Sequence, residues 1–76
     1  MNGHLESILR NDLKLPPDRL TPDTGLNDAG FDSLAIVELS VLLVDRFGID
    51  VTETDIKAAA TLGQLDQLIQ RKQDER

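Results

Sequence analysis

Seventy-six residues leave room for one domain and no second core, and a chain this short buries only about 60% of its unfolded surface. The absence of cysteine removes disulfides, thiolate metal sites and thiol nucleophiles together, and with a single histidine zinc chemistry is close to excluded. A net charge of −6 and a pI near 4.4 repel phosphate backbones, which argues against nucleic acid and for protein partners with a basic patch.

Leu5, Ile8, Leu9 and Leu13 fall on one face at helical spacing, so residues 3–14 are expected to form an amphipathic first helix. Pro16 and Pro17 are expected to end it, because proline clashes with the preceding turn. A long connection from Leu15 to Phe31 follows, rich in Pro, Asp, Thr and Gly, with Leu20, Leu26 and Phe31 placed to pin it to the core. Asp32 and Ser33 are both good N-cap residues for a helix over 33–47, and Gly48 stands where a left-handed cap would close it. Thr52 offers a cap for a short helix over 53–58. Thr61 and Gln64 have the spacing of a capping box for a last helix over 62–71, with fraying expected after Gln70. The expectation is an all-α, four-helix bundle in a single domain, 1–76, with three main helices, a short third one and a long first loop. No basic, apolar leader opens the chain and no apolar run is long enough to span a bilayer, so a cytoplasmic monomer without membrane contact is expected.

The helix over 33–47 carries more apolar residues than one buried face needs. Ile36, Leu39, Leu43 and Phe47 make one stripe, with Ser40 beside it. Leu34, Val37, Val41 and Val44 make a second, flanked by Glu38 and Asp45. Either both stripes are buried in a central helix, or the second stays open as a docking row for a partner with an apolar groove edged by Arg or Lys. Burial of these side chains decides between the two.

An Asp-Ser pair ahead of an apolar helix is, taken alone, a cap. Ser33 lacks what a catalytic serine needs, an adjacent base that is itself oriented, since the sole imidazole, His4, belongs to the first turn of the first helix, where solvation is expected. A hydroxyl at a helix start nevertheless suits modification, because the free N–H groups and positive dipole end there favour a phosphate diester. Asp32 opposes that by like charge, so it is read as a cap or as a metal holder for a modifying enzyme. Asp23 to Asp32 is acidic, yet with Gly30 in the sixth position of a calcium loop the twelfth ligand would be Ile36, so the pattern fails. Gly25 and Gly30 make no phosphate-binding motif either, with no strand before them and no Lys after.

Asp28-Ala29-Gly30-Phe31-Asp32-Ser33-Leu34, followed by Val37-Glu38-Leu39 and Phe47-Gly48-Ile49, closely resembles the acyl carrier protein family over nearly the whole chain. That resemblance implies a four-helix bundle in which Ser33, next to the motif residue Asp32, carries 4′-phosphopantetheine installed from coenzyme A by a phosphopantetheinyl transferase. It also implies that the chain is no enzyme. The arm would hold acyl or polyketide intermediates as thioesters for partners such as a ketosynthase, an acyltransferase or a ligase. By position in the family pattern, Leu34, Val37, Glu38, Val41 and Asp45 would dock those partners. Two residues depart from the pattern of fatty-acid carriers: Ala35 follows the motif leucine, and Val44 interrupts the acidic row before Asp45. The likeness leans instead to freestanding carriers of polyketide or other specialised pathways. An aminoacyl or peptidyl carrier and, from a different class, an unmodified helical interaction module remain the alternatives.

Overall fold

The structure, a computed structural model, describes residues 3–74, and each element in it ends for an identifiable reason. Helix α1 (Gly3–Ser7) widens into a π-helical turn at Ile8–Asp12, closed by the Leu13 N–H donating to Ile8 O at 2.9 Å. Leu5, Ile8 and Leu9 are buried on its inner face. The chain leaves this helix through Lys14, whose φ of 55° lies in the left-handed region, and the Leu15 N–H reaches back to Leu9 O at 2.9 Å. The reversal therefore precedes the prolines expected to cause it. Pro17 instead opens a 3₁₀ turn at Pro17–Arg19, where its fixed φ is already helical.

The connection from Leu15 to Phe31 holds a second short element. Helix α2 (Leu26–Ala29) is a single turn that buries Leu26 and Ala29 and stops at Gly30, with φ 106°. A Cβ at Gly30 would stand 3.2 Å from Leu15 Cδ2, so only glycine suits both the backbone and the space. Phe31 and Leu15 are buried, and Leu20 packs against the core half-exposed. The loop is also sewn to the last helix, as the Leu62 and Gly63 N–H groups donate to Thr24 O and Pro22 O, each at 2.9 Å. Two backbone donors that a helix start leaves without intrahelical partners are thus satisfied by the loop.

Helix α3 (Ser33–Phe47) is followed by α4 (Glu53–Ala58) and α5 (Leu62–Asp74). Gly48, at φ 65°, closes α3, with its N–H on Val44 O and the Ile49 N–H on Leu43 O, both at 3.0 Å. Thr52 and Asp55 cap α4 reciprocally, Asp55 N–H to Thr52 Oγ1 at 3.2 Å and Thr52 N–H to Asp55 Oδ2 at 3.1 Å. Thr61 Oγ1 accepts from Gln64 N–H at 3.2 Å, while Gln64 Oε1 takes its proton one residue further back, from Ala60 N–H at 2.9 Å. α5 runs to Asp74, beyond the fraying expected after Gln70; Arg71 and Lys72 in its last turn suit the negative end of the helix dipole. Leu39 and Leu43 of α3 meet Ile56 of α4 and Leu62, Leu65 and Ile69 of α5 in a core with no buried polar residue among those described. The architecture is all-α, without strands among the described residues beyond one isolated bridge between Gly25 and Thr61.

Candidate functional site

Asp32 and Ser33 stand at the start of α3, where extended backbone turns into helix. Asp32 has φ −122° and ψ −175°, and its Oδ1 accepts from the Ala35 N–H at 2.8 Å, so its carboxylate caps the helix. Ser33 is the first helical residue and is exposed. The N–H groups of the first turn point out of the helix without intrahelical acceptors, at its positive end. An exposed hydroxyl beside such donors fits a phosphodiester bound to Ser33 Oγ.

Among the described residues, no imidazole stands beside this hydroxyl. The His4 ring lies on Phe47, centroids 4.1 Å apart, at the opposite end of α3. Fourteen residues at 1.5 Å rise put that end about 21 Å from Ser33. His4 is exposed, as its place in the first turn suggests, yet it is stacked on Phe47 as well.

The two stripes of α3 have different fates. Leu39 and Leu43 are fully buried, with Ile36 and Phe47 packed half-buried against the same core. Leu34, Val37, Val41 and Val44 remain 68%, 37%, 53% and 50% exposed, and they are the exposed large apolar side chains among the described residues. This row starts immediately after Ser33 and follows the helix for about three turns. Glu38 and Asp45 stand exposed along it, and neither carries an ion pair among the described residues. Five of the residues named from sequence, Leu34, Val37, Glu38, Val41 and Asp45, therefore share one open face with Ser33 at its end, while Asp32 turns its carboxylate onto the backbone.

Val41 is the ridge between two shallow grooves. One, about 340 Å³, is lined by Asp12, Val37, Glu38, Val41 and Leu42. The other, about 410 Å³, runs over Ser40, Val41, Val44, Asp45, Val51, Thr52 and Glu53. Asp12, Val51 and Glu53 extend this surface onto α1 and the start of α4 and were not among the residues read from sequence. No local pattern marks them, because they come to α3 only through tertiary packing. Arg46 escaped notice for the same reason: its guanidinium makes a bidentate pair with Asp12, at 2.5 and 2.7 Å, across 34 positions.

A phosphopantetheine attachment-site family model matches residues 4–69. Acyl carrier protein MbtL of Mycobacterium sp. (strain MCS) is 38% identical over 73 residues, covering 95% of this chain and 82% of that protein. Its counterpart in Mycobacterium bovis is 38% identical over 69 residues, covering 90% and 82%. The meromycolate extension acyl carrier protein of Mycolicibacterium aurum is 28% identical over 72 residues, covering 93% and 74%.

Proposed function

Because this chain belongs to the phosphopantetheine attachment-site family, we propose that Ser33 is the residue that carries the arm and that α3 is the face partners dock on. The protein is an acyl carrier whose cofactor is covalently attached 4′-phosphopantetheine. The bound arm supplies a terminal thiol that holds an acyl group as a thioester. The chain itself contributes a presented oxygen, a helix start that tolerates phosphate, and a docking row beside it. The reading is of a carrier and not an enzyme, in keeping with Ser33 having no imidazole beside it among the described residues, since His4 is stacked on Phe47 at the far end of α3.

The observation that carries this reading is the exposed Ser33 at the head of an exposed apolar row on a helix whose other face packs into the core through Leu39 and Leu43. The row accounts for partners of a stated kind, enzymes offering an apolar patch edged by Arg or Lys. A second copy of the chain would set Glu38 and Asp45 against like charges, so the face favours a different protein and a monomeric carrier. The partners are a phosphopantetheinyl transferase and acyl-processing enzymes in the cytoplasm. Ala35 and Val44, with the names of the relatives, favour a specialised pathway over general fatty-acid synthesis.

A cysteine-free chain makes the test direct, because any thiol it acquires belongs to the arm. After incubation with coenzyme A and a broad-specificity transferase, then removal of small molecules, the protein is expected to titrate one thiol per chain. Ser33→Ala is expected to titrate none. A thiol-free wild-type protein under conditions that modify an established carrier would overturn the proposal.

A further inference from the structure

An arm on Ser33 places a negative phosphodiester on a part of the surface that already carries acids. Asp32 adjoins Ser33, with its carboxylate on the Ala35 N–H. Asp28, on the α2 turn, is exposed and makes no ion pair among the described residues. Each opposes a further anion by like charge. A cation stands on the same side of the molecule. A groove of about 440 Å³ separates the α2 turn from the end of α4, and Leu26, Asn27, Asp28, Ile36, Lys57 and Ala59 are among its lining. Ser40 and Val44 of α3 share a different groove with Thr52 and Glu53, at the start of α4. The end of α4, with Lys57, therefore lies beside the start of α3. Ile36 follows Ser33 by three residues, which sets their Cβ atoms about 5–6 Å apart on one side of the helix. Lys57 is exposed and makes no ion pair among the described residues, although Asp28 lines the same groove. Arg19 is turned to the loop, where its Nη1 donates to Asp28 O at 3.3 Å.

We infer that Lys57 is the counter-ion of the loaded chain: its ammonium, carried on a flexible four-carbon stem, pairs with the phosphodiester on Ser33 and offsets the acids around it. The inference rests on Ser33 as the attachment residue. A compact charge on a mobile stem suits an anion held by a single covalent bond, because the ammonium can follow it. Lys57 also stands in the last turn of α4, where a cation complements the helix dipole with or without the arm. The mark of the counter-ion role is thus a difference between the loaded and unloaded chain, in which the dipole contribution cancels.

Wild type, Lys57→Gln, Lys57→Arg and Arg71→Gln are each loaded with coenzyme A and a broad-specificity transferase, checked for completeness by intact mass, and melted beside their unloaded forms. The loaded-minus-unloaded change in melting temperature is expected to fall by about 1–5 °C in Lys57→Gln relative to wild type, the size of an exposed charge pair in a chain this short. Lys57→Arg is expected to keep the wild-type difference. Arg71→Gln, which removes the same charge from the last turn of α5, is expected to keep it as well. The fall in Lys57→Gln is expected to shrink in about 1 M salt, where charges are screened within about 3 Å. The phosphorus-31 resonance of the loaded chain is expected to move in Lys57→Gln and to stay in Arg71→Gln. A wild-type difference or an unmoved resonance in Lys57→Gln would overturn the role, as would an equal fall in Arg71→Gln. So would a Lys57→Gln chain that resists loading where Arg71→Gln accepts it, since that would assign Lys57 to the encounter with the transferase. Failure of the wild-type chain to load at all would instead remove the attachment reading beneath it.

Discussion

Asp32 and Ser33 are adjacent, yet the geometry separates their duties. The Asp32 carboxylate is spent on the Ala35 N–H, whereas Ser33 presents its hydroxyl to solvent at the helix mouth. Sequence alone named Asp32 as either a cap or a metal holder, and the 2.8 Å bond shows the cap. Asp32→Ala is expected to cost about 1 kcal/mol in urea unfolding. Asn caps about as well as Asp, so Asp32→Asn is expected to unfold within about 0.5 kcal/mol of the wild-type chain. An equal loss in both variants would show that the charge, and not the cap, stabilises the helix. Asp55 supplies a second residue-scale expectation. Its carboxyl lies below its ordinary pKa, chiefly through the Thr52 N–H and then through the Thr52 side chain. The unfolded chain therefore binds more protons near pH 4, so this contribution is complete above the unfolded pKa and is lost as pH falls through the folded one. Asp55→Asn is expected to flatten the acid side of the stability–pH curve; an unchanged slope would contradict the capping-box origin of the shift.

At the scale of elements, α3 was the most legible part of the chain. Its caps are local and its two apolar periodicities are strong, although periodicity could not say which stripe faces inward or whether both do. That was settled by packing: Leu39 and Leu43 are fully buried in the common core, while Leu34, Val41 and Val44 stay half or more exposed. Val41→Asp is accordingly expected to change stability by less than about 0.5 kcal/mol while weakening partner docking. Leu39→Ala is expected to cost about 2–5 kcal/mol. A large loss of melting temperature in Val41→Asp would contradict the open-stripe description. The weakest reading concerned the connection from Leu15 to Phe31. Four residues, Leu26–Ala29, have no helical signal of their own, and the turn forms because Leu26 and Ala29 gain burial and Gly30 supplies the left-handed exit. The π turn at Ile8–Asp12 was equally hidden, since its apolar spacing is the same as that of an α-helix.

For the whole molecule, the sequence disclosed which residues go inside but not how distant segments are tied. Thr24 O and Pro22 O on the N–H groups of Leu62 and Gly63, and Asp12 on Arg46, join parts of the chain more than thirty residues apart and leave no local signature. Gly63 could be read only as a small residue in a helix start, yet a Cβ there would stand 3.0 Å from Pro22 O, which is why the loop can approach so closely. These ties fasten the loop to the start of α5 and the end of α1 to α3. On the proposed reading, function is presentation: a capped helix start for the arm and an open apolar row for the enzymes that use it. The most direct measurement is the intact mass of the chain after incubation with coenzyme A and a broad-specificity phosphopantetheinyl transferase, with fragment spectra to locate the added group. The expected result is a gain of roughly 340 Da on Ser33, absent from Ser33→Ala. No gain where an established carrier is modified, or a gain that survives in Ser33→Ala, would contradict it.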